Sequence, residues 1–176
     1  MDSSSAIQGG SVVQLIVIII LLVLSGLFSS AETSLTTVNI YKMKALAEEG
    51  NKRAAMVLKL MEKPGKVLST ILIGNNIVNI SASSLATMFV TNTFGSAAVG
   101  AATGILTLLV LIFGEITPKN LATVYSEPFA LFYAFPIKVL SVIFTPVIWL
   151  LDKFCGLIYK ILRVDTNAMN RQMTES

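Results

Sequence analysis

Three short runs of polar side chains interrupt an otherwise apolar sequence, and their types are those that bind hard cations through oxygen. Ser25 and Ser29 lie one helical turn apart, and Glu32 continues the same stripe. A second run carries Ser69, Asn75, Asn76, Asn79, Ser81, Ser83 and Ser84, with Ser69, Asn76 and Ser83 at intervals of seven, two turns up one helix face. In the third, Gly114-Glu115-Ile116-Thr117-Pro118-Lys119, Pro118 has no amide hydrogen, so the carbonyl of Gly114 is expected to lose its helical partner at a helix break. A freed carbonyl beside a carboxylate supplies the ligands that transporters place at broken helices.

Each run also has a plainer explanation. Ser25, Gly26, Ser29 and Ser30 make a close helix-packing surface, the asparagines can join helices, and Glu115 can end its helix at the interface while paired with Lys119. Taken together, two serine hydroxyls, a third serine, an asparagine carboxamide, the freed carbonyl of Gly114 and the carboxylate of Glu115 offer roughly the six oxygens that Mg²⁺ prefers. Glu115 brings the formal negative charge of that set.

Other chemistries are poorly served. The chain has no histidine and one cysteine, Cys155, so thiolate and imidazole sites for zinc or copper and an intramolecular disulfide are excluded. Asp2, Asp152 and Asp165 lie outside the apolar windows and no histidine is present to activate a serine, so catalysis is not expected. A net charge of +3 is explained by basic residues beside apolar spans rather than by nucleic-acid binding.

Of 176 residues 54% are hydrophobic and 13% charged, which points to an all-α integral membrane protein with lipid as its main solvent. Val12 to Phe28 and Ala97 to Phe113 contain no charge, and Val67 to Ser96 is uncharged but polar. Three transmembrane helices are therefore expected, at about 12–31, 67–91 and 97–115. No basic residue precedes the first, which makes it a span rather than a cleaved signal. Residues 33–64 are lysine-rich, and their apolar positions (Ile40, Met43, Leu46, Ala47; Ala54, Val57, Leu58, Met61) recur at helical spacing about Gly50-Asn51. This is expected to be a cytoplasmic amphipathic helical hairpin, which leaves residues 1–10 as an outer tail.

Residues 127–163 are apolar but hold Pro128, Pro136, Pro146 and Lys138, and are expected to form a proline-broken interfacial juxtamembrane belt. Lys153, Lys160, Arg163 and Arg171 then stay inside with the carboxyl terminus; a fourth span is the alternative. Gly100 and Gly104 form a small-xxx-small pair that suits helix packing, within the subunit or against a second copy.

Leu27-Phe28-Ser29-Ser30-Ala31-Glu32-Thr33-Ser34-Leu35, Leu72-Ile73-Gly74-Asn75-Asn76-Ile77-Val78-Asn79 and Gly114-Glu115-Ile116-Thr117-Pro118-Lys119 resemble, in order, the signatures of the CNNM/CorC transmembrane domain. The resemblance covers about residues 10–165. It implies three transmembrane helices, a homodimer in the plasma membrane, and Mg²⁺ export coupled to inward Na⁺ movement. The ion site it implies comprises Ser25, Ser29, Ser69, Asn76, Gly114 and Glu115, with Asn75 as the other choice in its pair. It also implies a pair of CBS domains following the polar linker-like residues 166–176. A membrane Mg²⁺ sensor or scaffold that regulates a separate transporter is the competing reading.

Overall fold

The computed structural model describes residues 3–161, and every regular element in them is helical. Helix α1 runs Ser3–Thr37, so most of the tail expected at 1–10 is already helix. The hairpin helices α2 (Ile40–Glu48) and α3 (Lys52–Met61) follow, then the long α4 (Pro64–Phe94). A 3₁₀ turn at Ser96–Ala98 leads into α5 (Val99–Leu109), a π-helical segment (Val110–Ile116) and α6 (Thr117–Val124). The chain ends in α7 (Ser126–Ile143) and α8 (Thr145–Ile161). The linker expected at 166–176 and the end of the belt lie outside the described residues.

Local chemistry sets the boundaries. The Asn39 carboxamide accepts from the Lys42 amide at 3.2 Å to start α2, and Asn51 accepts from the amides of Arg53 and Ala54 at 3.0 and 3.2 Å to start α3. Gly50 between them has φ +94°, a conformation that costs a residue with a Cβ and not glycine. Pro64 opens α4 in its first turn, where a missing amide hydrogen does no harm.

Three segments are long and apolar enough to cross a membrane: Ser11–Thr37, Ser96–Val124 and Ser126–Ile143. The first two correspond to the spans expected at 12–31 and 97–115; the span expected at 67–91 is not among them, and 126–143 is added. Helix α4 has ample length, about 46 Å at 1.5 Å per residue, but its asparagines, serines and threonines keep it short of the others in apolarity. Helix α7 qualifies, because Pro136 lies inside a continuous helix and Pro128 falls in its first turn. The break expected within the belt is at Phe144, just ahead of Pro146 at the start of α8.

The core sits at the hairpin end. Ala31 and Leu35 of α1, with Val38 just after it, meet Met43, Ala54 and Val57 of the hairpin, Val67 and Ile71 of α4, and Ala130, Ala134 and Ile137 of α7. An ion pair from Lys42 to Glu127 at the start of α7, and a 2.7 Å hydrogen bond between the hydroxyls of Ser30 and Tyr133, tie the same elements together. The outward side chains of α1, such as Val12, Ile16, Ile19, Ile20 and Val23, are exposed, as lipid contact requires.

Candidate cation site

The serine run on α1 is divided among different tasks. Ser30 turns to α7 and also donates to the Leu27 carbonyl at 3.0 Å. Gly26 lies against the third run: a Cβ there would stand 3.0 Å from the Phe113 carbonyl oxygen and 3.1 Å from the Pro118 ring. Those two residues are the packing surface that small side chains suggested. Ser25 and Ser29 are fully buried and do something else. The Ser25 hydroxyl donates to the Asn75 carboxamide oxygen at 3.2 Å, whereas the Ser29 hydroxyl has no hydrogen-bond partner among the described residues.

On α4 the buried stripe is Val67, Ile71, Gly74, Val78 and Ala82. Asn75 is on the edge of that stripe, four residues after Ile71 and three before Val78. Asn79, one turn on, donates its amide to Asn75 at 3.4 Å, and its own carboxamide oxygen is buried without a partner among the described residues. Asn76 is exposed on another face and donates back to the Leu72 carbonyl at 2.9 Å. Gly74 gives α1 its close approach: a Cβ there would overlap the Phe28 ring.

The third run does not break. The chain passes through the π-helical segment and straight on into α6, with the Thr117 amide donating to the Ile112 carbonyl five residues back. Widening the turn in this way lets Pro118 enter without ending the helix, and π-turns of this sort are frequent at functional sites. Gly114 faces α1 so closely that a Cβ would stand 2.9 Å from the Ser25 hydroxyl. Glu115 is half-buried at one end of a groove of about 240 Å³ between α4 and α5, with Asn79 at the same end. Lys119 does not pair with Glu115; it reaches Glu32 at 3.2 Å, so Glu115 has no ion pair among the described residues.

Ser25, Asn75 and Gly114 thus meet, with Ser29 one turn away on α1 and Asn79 and Glu115 at the adjoining groove. Asn76 is turned away from them, and Ser69 lines a separate pocket with Lys66, Thr145, Trp149 and Asp152. Asn79 belongs with the candidate ligands although its spacing from Ser69 did not single it out. The spacing of seven from Ser69 pointed to Asn76; the apolar stripe from Ile71 to Ala82 would have pointed to Asn75 and Asn79.

The donors suit a hard cation. They are hydroxyl and carboxamide oxygens with one carboxylate, and no group of three or more His, Cys, Asp or Glu is assembled among the described residues. A buried oxygen without a partner costs about 1–3 kcal/mol, and Ser29 and Asn79 each carry one.

Known proteins share this sequence. The profile of the Cyclin M transmembrane N-terminal domain (CNNM) matches residues 16–176. A UPF0053 protein of Haemophilus influenzae is 42% identical over 161 residues, which is 92% of this chain and 38% of that protein. The UPF0053 inner membrane protein YfjD of Escherichia coli is 39% identical over 146 residues, covering 83% of this chain and 34% of that protein. A more distant relative, the polyamine export protein of Haemophilus influenzae, is 28% identical over 165 residues, or 86% of this chain and 38% of that protein. The chain spans little more than a third of the length of these relatives. The extent of the profile match and the apolar helices agree that this is a membrane protein and that it belongs to the CNNM transmembrane N-terminal domain family.

Proposed function

We propose that this chain is the ion-carrying part of a transporter whose cargo is Mg²⁺, exported from the cell in exchange for Na⁺ moving inward. The observation that carries this reading is the pair of buried unpartnered oxygens, on Ser29 and Asn79, beside the Ser25–Asn75 contact and the unpaired carboxylate of Glu115. In this reading Glu115 supplies charge, the Ser25, Ser29, Asn75 and Asn79 oxygens replace water around the ion, and the Gly114 main chain closes the third side. The π-segment is the element able to change register as the ion passes. The protein would sit in the plasma membrane with the hairpin and carboxyl terminus on the cytoplasmic side, where the lysines of residues 42–66 favour placement.

Gly100 and Gly104 support a homodimer. No side-chain or non-local backbone atom comes within 4 Å of a Cβ built at either, and α5 buries no residue, so the face is open to a second copy. A second cargo is favoured by the groove itself and by the relatives named for polyamine export. Its walls alternate apolar residues with Ser83, Thr87, Thr103 and Thr107, and one end is acidic, a lining that also fits a linear organic ammonium ion.

The test is flux in proteoliposomes containing a Mg²⁺-sensitive dye, under an imposed Na⁺ gradient, for wild type and Glu115→Gln. Gradient-dependent flux lost in the variant is expected. Mg²⁺ binding without flux would favour a sensor, and flux of spermidine but not Mg²⁺ would favour the ammonium reading.

A further inference from the structure

A second charged feature lies away from the cation site and has the opposite sign. Lys59 of α3, Lys63 at the α3–α4 junction, Lys66 of α4 and Lys138 of α7 line one cavity of about 150 Å³, together with Ser141. No carboxylate lines it, and none of these four lysines makes an ion pair among the described residues. Ser141 is 7% exposed, and its hydroxyl has no protein partner among the described residues.

A preference for basic residues on one side of a membrane accounts for each lysine's side of the bilayer. It does not account for their convergence from separate elements onto one hollow, where like charges repel. An anion removes that repulsion. At about 30 Å³ per water the cavity holds roughly five water volumes, room for a phosphate group with some of its hydration but not for a folded segment of protein.

We infer that this cavity binds the phosphate of an anionic membrane phospholipid. The surroundings favour a lipid over a free phosphate. Val142 lines the cavity and, at 66% exposed, continues outward into Val139 and Ile143 on the apolar outer face of α7. One wall is therefore apolar and continuous with the exposed face of α7 while lysines of three elements form the others, the arrangement in which basic pockets hold lipid headgroups. An acyl chain has somewhere to lie, and the Ser141 hydroxyl adds a donor to the ammonium groups.

Trp149 is the only tryptophan, and it lines a neighbouring pocket that shares Lys66. The chain reconstituted in nanodiscs therefore reports local lipid through quenching of Trp149 by brominated phosphatidylglycerol or brominated phosphatidylcholine. Brominated phosphatidylglycerol is expected to quench at about tenfold lower mole fraction. That preference should fall severalfold in Lys66→Gln and Lys138→Gln but persist in Lys44→Gln, which removes the same charge from a side chain held over the Tyr41 ring. Equal quenching by the two lipids in the wild type, which needs no variant to fold, overturns the inference. So does an equal fall in Lys44→Gln, which would show general surface charge. Release of brominated phosphatidylglycerol by millimolar inorganic phosphate would reassign the cavity to a soluble anion.

Discussion

At the hairpin end, Leu35, Met43, Val57 and Ile71 are 0–2% exposed and five helices share one apolar core. At the other end α5 buries none of its residues and faces α4 across an open groove lined with hydroxyls. Helix α1 accompanies α4 and the π-segment between the two regions, and the unpartnered oxygens of Ser29 and Asn79 stand where the closed packing gives way to the groove. In lipid, apolar contact adds little drive for helices to associate, so close packing has to come from small residues and a few polar contacts. The hairpin end has both: Ala31, Ala130 and Ala134 are buried, and Ser30 meets Tyr133. At the groove end the small residues Gly100 and Gly104 meet no neighbour among the described residues, and α5 stays apart from α4 across the groove. Firm packing at one end is what allows the other to be left incomplete.

The comparison breaks most visibly at Glu115. Replacing it by glutamine keeps size and removes charge, so Mg²⁺ affinity measured by titration calorimetry is expected to fall by about a hundredfold. Thermal unfolding of the protein should barely move, because this carboxylate pairs with nothing among the described residues. A large drop in melting temperature would make Glu115 a structural group and dissolve the distinction between the ends.

Gly74 tests the opposite property. An alanine Cβ would overlap the Phe28 ring, whose neighbours include the main core, and the helices α1 and α4 must separate or the ring must turn. A loss of about 1–3 kcal/mol is expected for Gly74→Ala in unfolding followed by circular dichroism. Phe28→Leu in the same chain should recover part of it. No loss would mean that the ring swings freely and the approach of α1 to α4 is loose.

How far these features were legible depended on which force decided them. Apolar length and lysine distribution marked α1, the hairpin and the α5 region because hydrophobic patterning acts locally along the sequence. The status of α4 and α7 did not follow the same pattern. A helix such as α4 can carry Asn75 when a neighbouring helix bonds to it, and a proline such as Pro136 can sit inside a helix whose packing compensates. Pro118 announced an irregularity but not its kind, since a π-turn and a break relieve the same missing hydrogen bond. In the site, Ser25, Ser29, Gly114 and Glu115 were marked by being polar, small or acidic within apolar sequence. The choice between Asn75 and Asn76 was not, because it depends on a helix rotation set by distant contacts with α1.

That rotation can be sharpened by a matched pair. Asn75→Ala removes the acceptor for both Ser25 and Asn79 and is expected to weaken Mg²⁺ binding about tenfold. Asn76→Ala removes a bond to its own helix and should leave affinity unchanged. Equal effects would mean that α4 turns during the ion's passage and presents both faces.

The smallest expected effect lies at the Ser30–Tyr133 contact, which joins α1 to α7 by one hydrogen bond between buried side chains. Hydrogen bonds between membrane helices average about 0.6 kcal/mol, because the separated helices find other partners. Tyr133→Phe should therefore lower stability by about that amount and leave ion affinity and flux where they were. Ser30→Ala should do the same, and the double variant should lose no more than either one, since both remove a single bond. A fall in flux with either variant would show that α7 moves with the cation site and that the closed end takes part in transport.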